Sequence, residues 1–258
     1  MKKILSIVLV VSMLLTVALL AGCGEKASAD KAYVIYSDNA FAPFEYLDES
    51  TNTYVGVDMD ILAAIAKDQD IKYEMHNEGF DASMGAVQSG QADAMIAGMT
   101  INDERKKTFD FSDGYFNDGQ CLVVKSGSDI KSFEDLKDKK VACKTSTAGA
   151  EYAESIKDQY GFTIQYYEGS NEMYQAVLNS IDDACFEDFS VVSYAISSSS
   201  LGMTIISDVV NSAPYGFAVM KGKNAELIEK FNKGLENIKQ SGEYDKILAK
   251  YGIEVKNK

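Results

Sequence analysis

Histidine, proline, cysteine and basic residues are all scarce in this 258-residue chain, and each scarcity removes a class of function. His76 is the only histidine and no Cys-x-x-Cys occurs, which excludes zinc sites of the usual kinds, so no metal is expected. Lysine and arginine total 25 against 39 acidic residues, a net charge of −14. So acidic a surface excludes nucleic acid as a partner and electrostatic docking on anionic lipid. The Gly-x4-Gly-Lys pattern of a phosphate loop is also missing. The only prolines are Pro43 and Pro214, and no Pro-, Gly- or Ser-rich linker divides the chain into independent halves. Of the four cysteines, Cys121, Cys143 and Cys185 sit in apolar, strand-like runs, where a thiol behaves as a small hydrophobe. Buried thiols are expected there rather than a disulfide plus one free thiol.

What is present begins at the N-terminus. Lys2 and Lys3 precede an apolar run from Ile4 to Leu20, followed by Ala21-Gly22-Cys23-Gly24. A positive start, a greasy core and small residues before a cleavage point read as a secretory signal over residues 1–22. The run is borderline in length for a membrane span, which needs about 20 apolar residues. Leu19-Leu20-Ala21-Gly22-Cys23 resembles the lipobox of bacterial lipoproteins, which implies lipid on Cys23 and residues 23–30 as a tether. Cleavage removes two lysines and no acid, leaving a charge near −16. The protein is expected outside the cytoplasm, held to the membrane by lipid.

Strands and helices then alternate. Ala32 to Tyr36, Ile71 to Met75 and Ala92 to Ala97 read as strands. Asp58 to Asp68 reads as a helix with Met59, Leu62, Ala63 and Ala66 on one face, and Phe80 to Ser89 as a second helix. After a Gly- and aromatic-rich tract the rhythm restarts. Cys121 to Lys125, Val141 to Lys144, Phe162 to Tyr166, Ala184 to Phe186, Met203 to Ile206 and Tyr215 to Met220 read as strands. Ser132 to Leu136, Ala148 to Gln159 and Asn171 to Asn179 read as helices, and two more close the chain, one with Leu227, Ile228, Phe231, Leu235 and Ile238 on one face and one from Gly242 to Tyr251. This is an α/β fold of two lobes, each a mainly parallel sheet flanked by helices. Residues 31–116 plus 215–258 would form one lobe and 117–214 the other. Two hinge strands, near Tyr115 to Gly119 and Asn211 to Tyr215, would join them, with ligand bound between at the strand carboxyl ends.

In the block Ala97 to Asp113, a threonine at a strand end, Thr100, is followed five residues later by Arg105 in a helical turn. The hydroxyl and the planar guanidinium fork suit a carboxylate. The same residues also fit a capping box, with Thr100 and Asp103 closing a helix start and Arg105 in a solvated ion pair. Lys144 to Gly149 runs from a strand into a helix and presents free N–H groups, a natural anion site.

From Ala32 to Tyr251 the chain resembles the extracellular solute-binding proteins of polar amino-acid ABC importers, most closely the glutamine binders. The stretches that carry the resemblance are Asp38 to Glu45, Gly56 to Asp60, Ser89 to Asp93, Thr100 to Ser112, Lys140 to Lys144 and Asp183 to Asp188. The resemblance implies the type II periplasmic-binding-protein fold, no cofactor and no catalytic residue. It implies that Arg105 binds the ligand carboxylate, aided by Thr100, Thr147 and nearby amides. The Gly98 carbonyl and Asp188 would take the ammonium, Asp188 otherwise reading as a helix N-cap. Phe41 and Phe80 would sandwich the aliphatic stem, with Asp38 and Lys144 as acceptor and donor for a side-chain amide. That pair makes glutamine the expected ligand, and Glu187 is read as a surface residue.

The partners implied are a free L-amino acid, a membrane permease that recognises the closed form, and the membrane itself through the N-terminal lipid; a monomer is expected. Two other roles fit such a chain. Dehydratases of small carboxylic acids share the fold but need a positioned acid–base pair, which the candidate site lacks. An amino-acid sensor is the second.

Overall fold

A computed structural model describes residues 32–253; the proposed signal, Cys23 and the tether lie outside the described residues. Three strands, β1 (Tyr33–Asp38), β5 (Tyr73–Glu78) and β6 (Ala94–Met95), run parallel in the first sheet. The sheet is completed by β14 (Ala218–Met220), antiparallel to β6 and to β7 (Phe109–Phe111), in the order β5-β1-β6-β14-β7. A small hairpin sheet of β2 (Ala40–Phe41), β3 (Glu45–Asp48) and β4 (Thr53–Val55) follows β1.

On one face of the first sheet α1 (Val57–Gln69) packs with the closing helices α6 (Ala225–Gln240) and α7 (Glu243–Lys250). Phe231 of α6 stacks on Phe217 at 4.6 Å. α2 (Phe80–Ser89) covers the other face through Phe80, Ala86 and Val87. The inward stripe of α1 is Ile61, Leu62, Ile65 and Ala66; Met59 is only half-buried and Ala63 is exposed, so the expected face is rotated. The β-branched isoleucines carry the apolar bulk that the small alanine lacks.

The second sheet takes the order β10-β9-β11-β8-β12 from β8 (Phe116–Lys125), β9 (Lys140–Lys144), β10 (Thr163–Tyr167), β11 (Ala184–Asp188) and β12 (Met203–Ile205). β10, β9 and β11 are parallel, while β8 and β12 run against their neighbours. Both sheets are thus mixed rather than mainly parallel, because the chain re-enters each from the other lobe. Side chains alternate across this sheet as strand geometry requires. Leu122, Val124, Val141, Cys143 and Phe186 face α3 (Ala148–Tyr160), whereas Cys121, Val123, Ala142 and Cys185 face α4 (Ser170–Leu178) and α5 (Phe189–Ser199). The three cysteines are buried free thiols, as expected, and burial pushes the Cys143 thiol up to about 12.

One local reading is corrected. The run Tyr215 to Met220 is split: β13 (Val210–Tyr215) pairs with β8 in the second sheet, and β14 lies in the first. The serine-rich stretch before Ser200 closes α5. There Ser197 and Ser198 donate to the Tyr194 carbonyl at 3.0 and 2.7 Å, while Val191 and Val192 are buried. Serine competes for backbone hydrogen bonds in either direction, and packing decides the outcome.

The lobes are joined where β8 and β13 run side by side, with Tyr215 opposite Phe116 and Ala213 opposite Asp118. Among the described residues no helix is long and apolar enough to cross a membrane.

Candidate functional site

The carboxyl ends of β1, β9 and β11 point at one another across the gap between the lobes and deliver Asp38, Lys144 and Asp188 to it. Open α/β sheets leave free backbone groups and helix starts at these ends. A small cavity of about 20 Å³ lies there, lined by Asp38, Phe41, Phe80, Gly98, Thr100, Arg105, Lys144, Thr147 and Asp188 together. Ala97 and Phe186 also line it and were not singled out in the sequence, and Ala148, Gly149 and Glu187 line it too. The two alanines and Gly149 carry no side-chain chemistry that a motif could flag.

Arg105 opens a short 3-10 turn, Arg105–Lys107, and is buried. The amide of Arg105 is capped by Asn102 Oδ1 at 2.8 Å, so Asn102, not Thr100, closes this turn. Thr100 instead bridges to Tyr215. The guanidinium donates through Nη1 to the Thr100 carbonyl at 2.9 Å and through Nη2 to the Ser146 carbonyl of the other lobe at 2.9 Å. Its Nε lies 3.6 Å from Glu151, and its carbon stands 5.5 Å from the centre of the Phe80 ring. Burial draws the guanidinium down from its usual value, and Glu151 and Asp188 oppose this. Of five N–H donors, these contacts leave some free to take a carboxylate in the cavity.

Asp188 occupies the N-cap position of α5 but its side chain does not cap the helix. Both oxygens are held elsewhere: Gln120 Nε2 donates to Oδ1 at 2.6 Å and the Tyr215 hydroxyl to Oδ2 at 2.5 Å. A carboxylate so fixed keeps lone pairs for an ammonium. Gly98 also lines the cavity. Its φ is +53°, a Cβ there would lie 2.4 Å from the Phe41 ring, and its N–H donates to Asp58 Oδ2 at 2.8 Å. Thr147 caps α3, accepting from Ala150 N–H at 3.3 Å and donating to the Lys144 carbonyl at 2.7 Å. Its hydroxyl is thus committed to the loop, and the anion-attracting groups are the amides that open the helix.

Lys144 and Asp38 form an ion pair from one lobe to the other, each only 2 % exposed. Asp38 Oδ1 also accepts from the amides of Asn39 and Ala40 at 2.7 and 3.3 Å, and the Lys144 ammonium stands 5.1 Å from the Phe41 ring centre. Glu187 corrects the surface reading. It is 5 % exposed, it lines the cavity, and its carboxylate accepts from the Tyr174 hydroxyl at 2.9 Å and the Asp188 amide at 3.0 Å. Every residue of β11 is buried, so the strand offers no alternation from which a surface position could be told.

This site concentrates buried acids. Burial pushes Asp58 up to about 6, and burial together with Asp188 pushes Asp118 and Glu187 up to about 7. Glu45, whose carboxylate oxygens have no hydrogen-bond partner, is raised well above the usual range by burial and then by Asp58 and Asp38. Between about pH 4 and pH 7 the folded state therefore binds more protons than the unfolded chain, and stability falls as pH rises through that window. Thermal unfolding is expected to give a higher melting temperature at pH 5 than at pH 8. A melting temperature that rose across the same interval would contradict the burial of these acids.

The family model for bacterial extracellular solute-binding proteins, family 3, matches residues 33–254. A probable histidine-binding protein of Neisseria gonorrhoeae is 34% identical over 87% of this chain and 84% of its own length. The glutamine-binding protein GlnH of an ABC transporter of Bacillus subtilis is 33% identical over 97% of both chains. The crystal structure of ArtJ, an arginine-, lysine-, histidine-binding protein of Geobacillus stearothermophilus, superposes with a TM-score of 0.80 at 36% identity, covering 88% of this chain and 97% of that one. The two mixed sheets, the paired crossing strands and the inter-lobe cavity are the type II periplasmic-binding-protein architecture, and the chain belongs to the bacterial extracellular solute-binding proteins, family 3.

Proposed function

We propose that this chain is the extracytoplasmic binding component of an ABC importer that takes a polar L-amino acid, glutamine, in the cleft between its lobes and presents it to the permease on closure. The observation that carries this reading is the pair Arg105 and Asp188: opposite charges from opposite lobes, both buried, on one cavity. A zwitterion is the small solute that satisfies both at once, since an unpaired buried charge is costly. Residues 31–116 plus 215–258 and residues 117–214 act as the two bodies that close, and lipid on Cys23 keeps them beside the permease.

Glutamine is favoured because Asp38 and Lys144 neutralise each other. The pair still offers an acceptor and a donor, matching a carboxamide, and has no net charge with which to attract a charged side chain. A second reading rests on Glu187, whose buried carboxyl adds an acid to the same wall and would suit a cationic side chain, as the names of the histidine- and arginine-binding relatives suggest.

A melting-temperature screen of the mature chain against the twenty amino acids decides between them. A ligand at about 1,000 times its Kd stabilises the native state by about 4 kcal/mol. The largest rise is expected with glutamine. A larger rise with arginine or histidine selects the second reading, and no rise with any amino acid overturns both.

A further inference from the structure

The carboxylate assigned to the ligand's ammonium is tied to both strands on which the lobes are joined. Gln120 and Asp118 lie on β8, Tyr215 on β13, and Asp188 at the end of β11. The Tyr215 oxygen is 2.5 Å from Asp188 Oδ2 and 3.3 Å from Asp118 Oδ2. One phenolic proton cannot be donated to two carboxylates at once, so a fully ionised group would set two buried anions on a single donor. Asn211 Nδ2, also on β13, donates to Gln120 Oε1 at 3.0 Å and closes a second link between the crossing strands and Asp188.

On the reading that Asp188 receives the ammonium, we propose that Asp118 and Tyr215 are positioning residues that couple the bound ligand to the crossing strands. The Asp118–Tyr215–Asp188 group holds one extra proton, which the ammonium displaces.

The surroundings of the group support this. Asp118 is faced by Tyr215 from β13, by Asp188 from β11, by the Ser190 amide of α5 at 3.1 Å, by its neighbour amide Gly119 at 2.9 Å and by the Cys121 thiol of its own strand. Among the described residues none of the salt bridges includes it, and its carboxyl is raised to about 7 by burial and then by Asp188. Asp188 is faced by Arg105 and Lys144 as cations, by Glu187 beside it and by Gln120. Both cations are engaged elsewhere, Arg105 with Glu151 and Lys144 with Asp38.

An ammonium on Asp188 supplies the missing positive charge, after which a second negative charge at Asp118 is tolerated. The balance is protonated protein plus ammonium ligand giving complex plus one hydrogen ion released to buffer. Because Asp118 and Tyr215 stand on neighbouring strands, the protonation change alters the bonding between the two crossings, and it occurs only when ligand is present. Such differential bonding is what a ligand needs to shift an open–closed balance.

Calorimetric titration of the mature chain with glutamine, or with whichever amino acid the melting screen selects, tests this. In buffers of different ionisation heat at pH 6.5 the observed enthalpy is expected to vary linearly with that heat, corresponding to release of up to one proton. Affinity is expected to rise with pH from 5.5 to 7, with a limiting slope of about tenfold per pH unit for one linked proton, and to level above it. Asp118→Asn should remove the buffer dependence and flatten the profile, while Glu187→Gln, which removes the neighbouring acid of similar range, should preserve both. Tyr215→Phe, whose ring still packs on Phe44 and Phe116, should weaken binding at every pH. Should Asp118→Asn fail to fold, the wild-type buffer series decides alone: an enthalpy independent of buffer overturns the coupling. So does proton release that disappears in Glu187→Gln but persists in Asp118→Asn. If Asp188→Asn binds as tightly as the wild type, the site reading itself fails. If it binds weakly while Asp118→Asn behaves as wild type, only the coupling fails.

Discussion

Arg105→Ala is expected to lower the affinity for an α-amino acid by about 10³-fold or more, read by calorimetric titration. Truncating one member of a buried, hydrogen-bonded charge pair costs about 2–5 kcal/mol, much of it from the partner charge left unpaired. In the proposed complex the partner is the ligand carboxylate, and a second loss adds to the first. The same guanidinium donates to the Ser146 carbonyl and faces Glu151, both on the second lobe, so its removal also weakens the contact that holds the lobes together. The fold should survive, because Arg105 lies on a short surface turn whose cap, Asn102, remains. Arg105→Lys should fall between, keeping a point charge and losing the planar fork. Unchanged affinity in Arg105→Ala would refute the site.

Lys144→Met should lower affinity by about 10²- to 10³-fold while leaving the melting temperature of the free protein nearly unchanged. Leaving Asp38 buried without its counter-charge costs about 3–5 kcal/mol in a rigid interior. On the proposed opening and closure of the cleft, Asp38 and Lys144, which come from different lobes and are 2 % exposed here, separate when the cleft opens. Opening the cleft lets Asp38 hydrate, so the penalty falls on closure rather than on folding. The double variant Asp38→Asn with Lys144→Met removes both charges and should recover part of the loss, with a coupling that a double-mutant cycle measures. A large drop in the melting temperature of the single variant would mean instead that the two lobes do not open.

These two expectations also mark where reading the chain reaches its end. Arg105 was singled out by a local pattern with Thr100 that fitted a capping box equally well, and only the family resemblance assigned it to the site. Lys144 and Asp38 came as donor and acceptor for one amide only through the family resemblance. That they pair with each other depends on two strand ends separated by 106 residues meeting across a gap, which no local pattern encodes. Glu187 was misplaced for a related reason. In a strand buried on both faces the period-2 signal vanishes, so burial had to come from the sheets and helices around it.

By itself, then, the sequence determined the alternation of strands and helices, and with the family resemblance it picked out residues that gather at one cavity. The alternation follows from local periodicity, whereas the cavity residues follow from the resemblance. Only the tertiary structure decided which face of α1 is inward, that both sheets are mixed, and which acids share partners. Tyr215 can donate to Asp188 and stand beside Asp118 because β13 re-enters the second sheet next to β8. Register between distant strands is set by packing of the whole molecule, and the electrostatics of the site follow from that register rather than from any one segment.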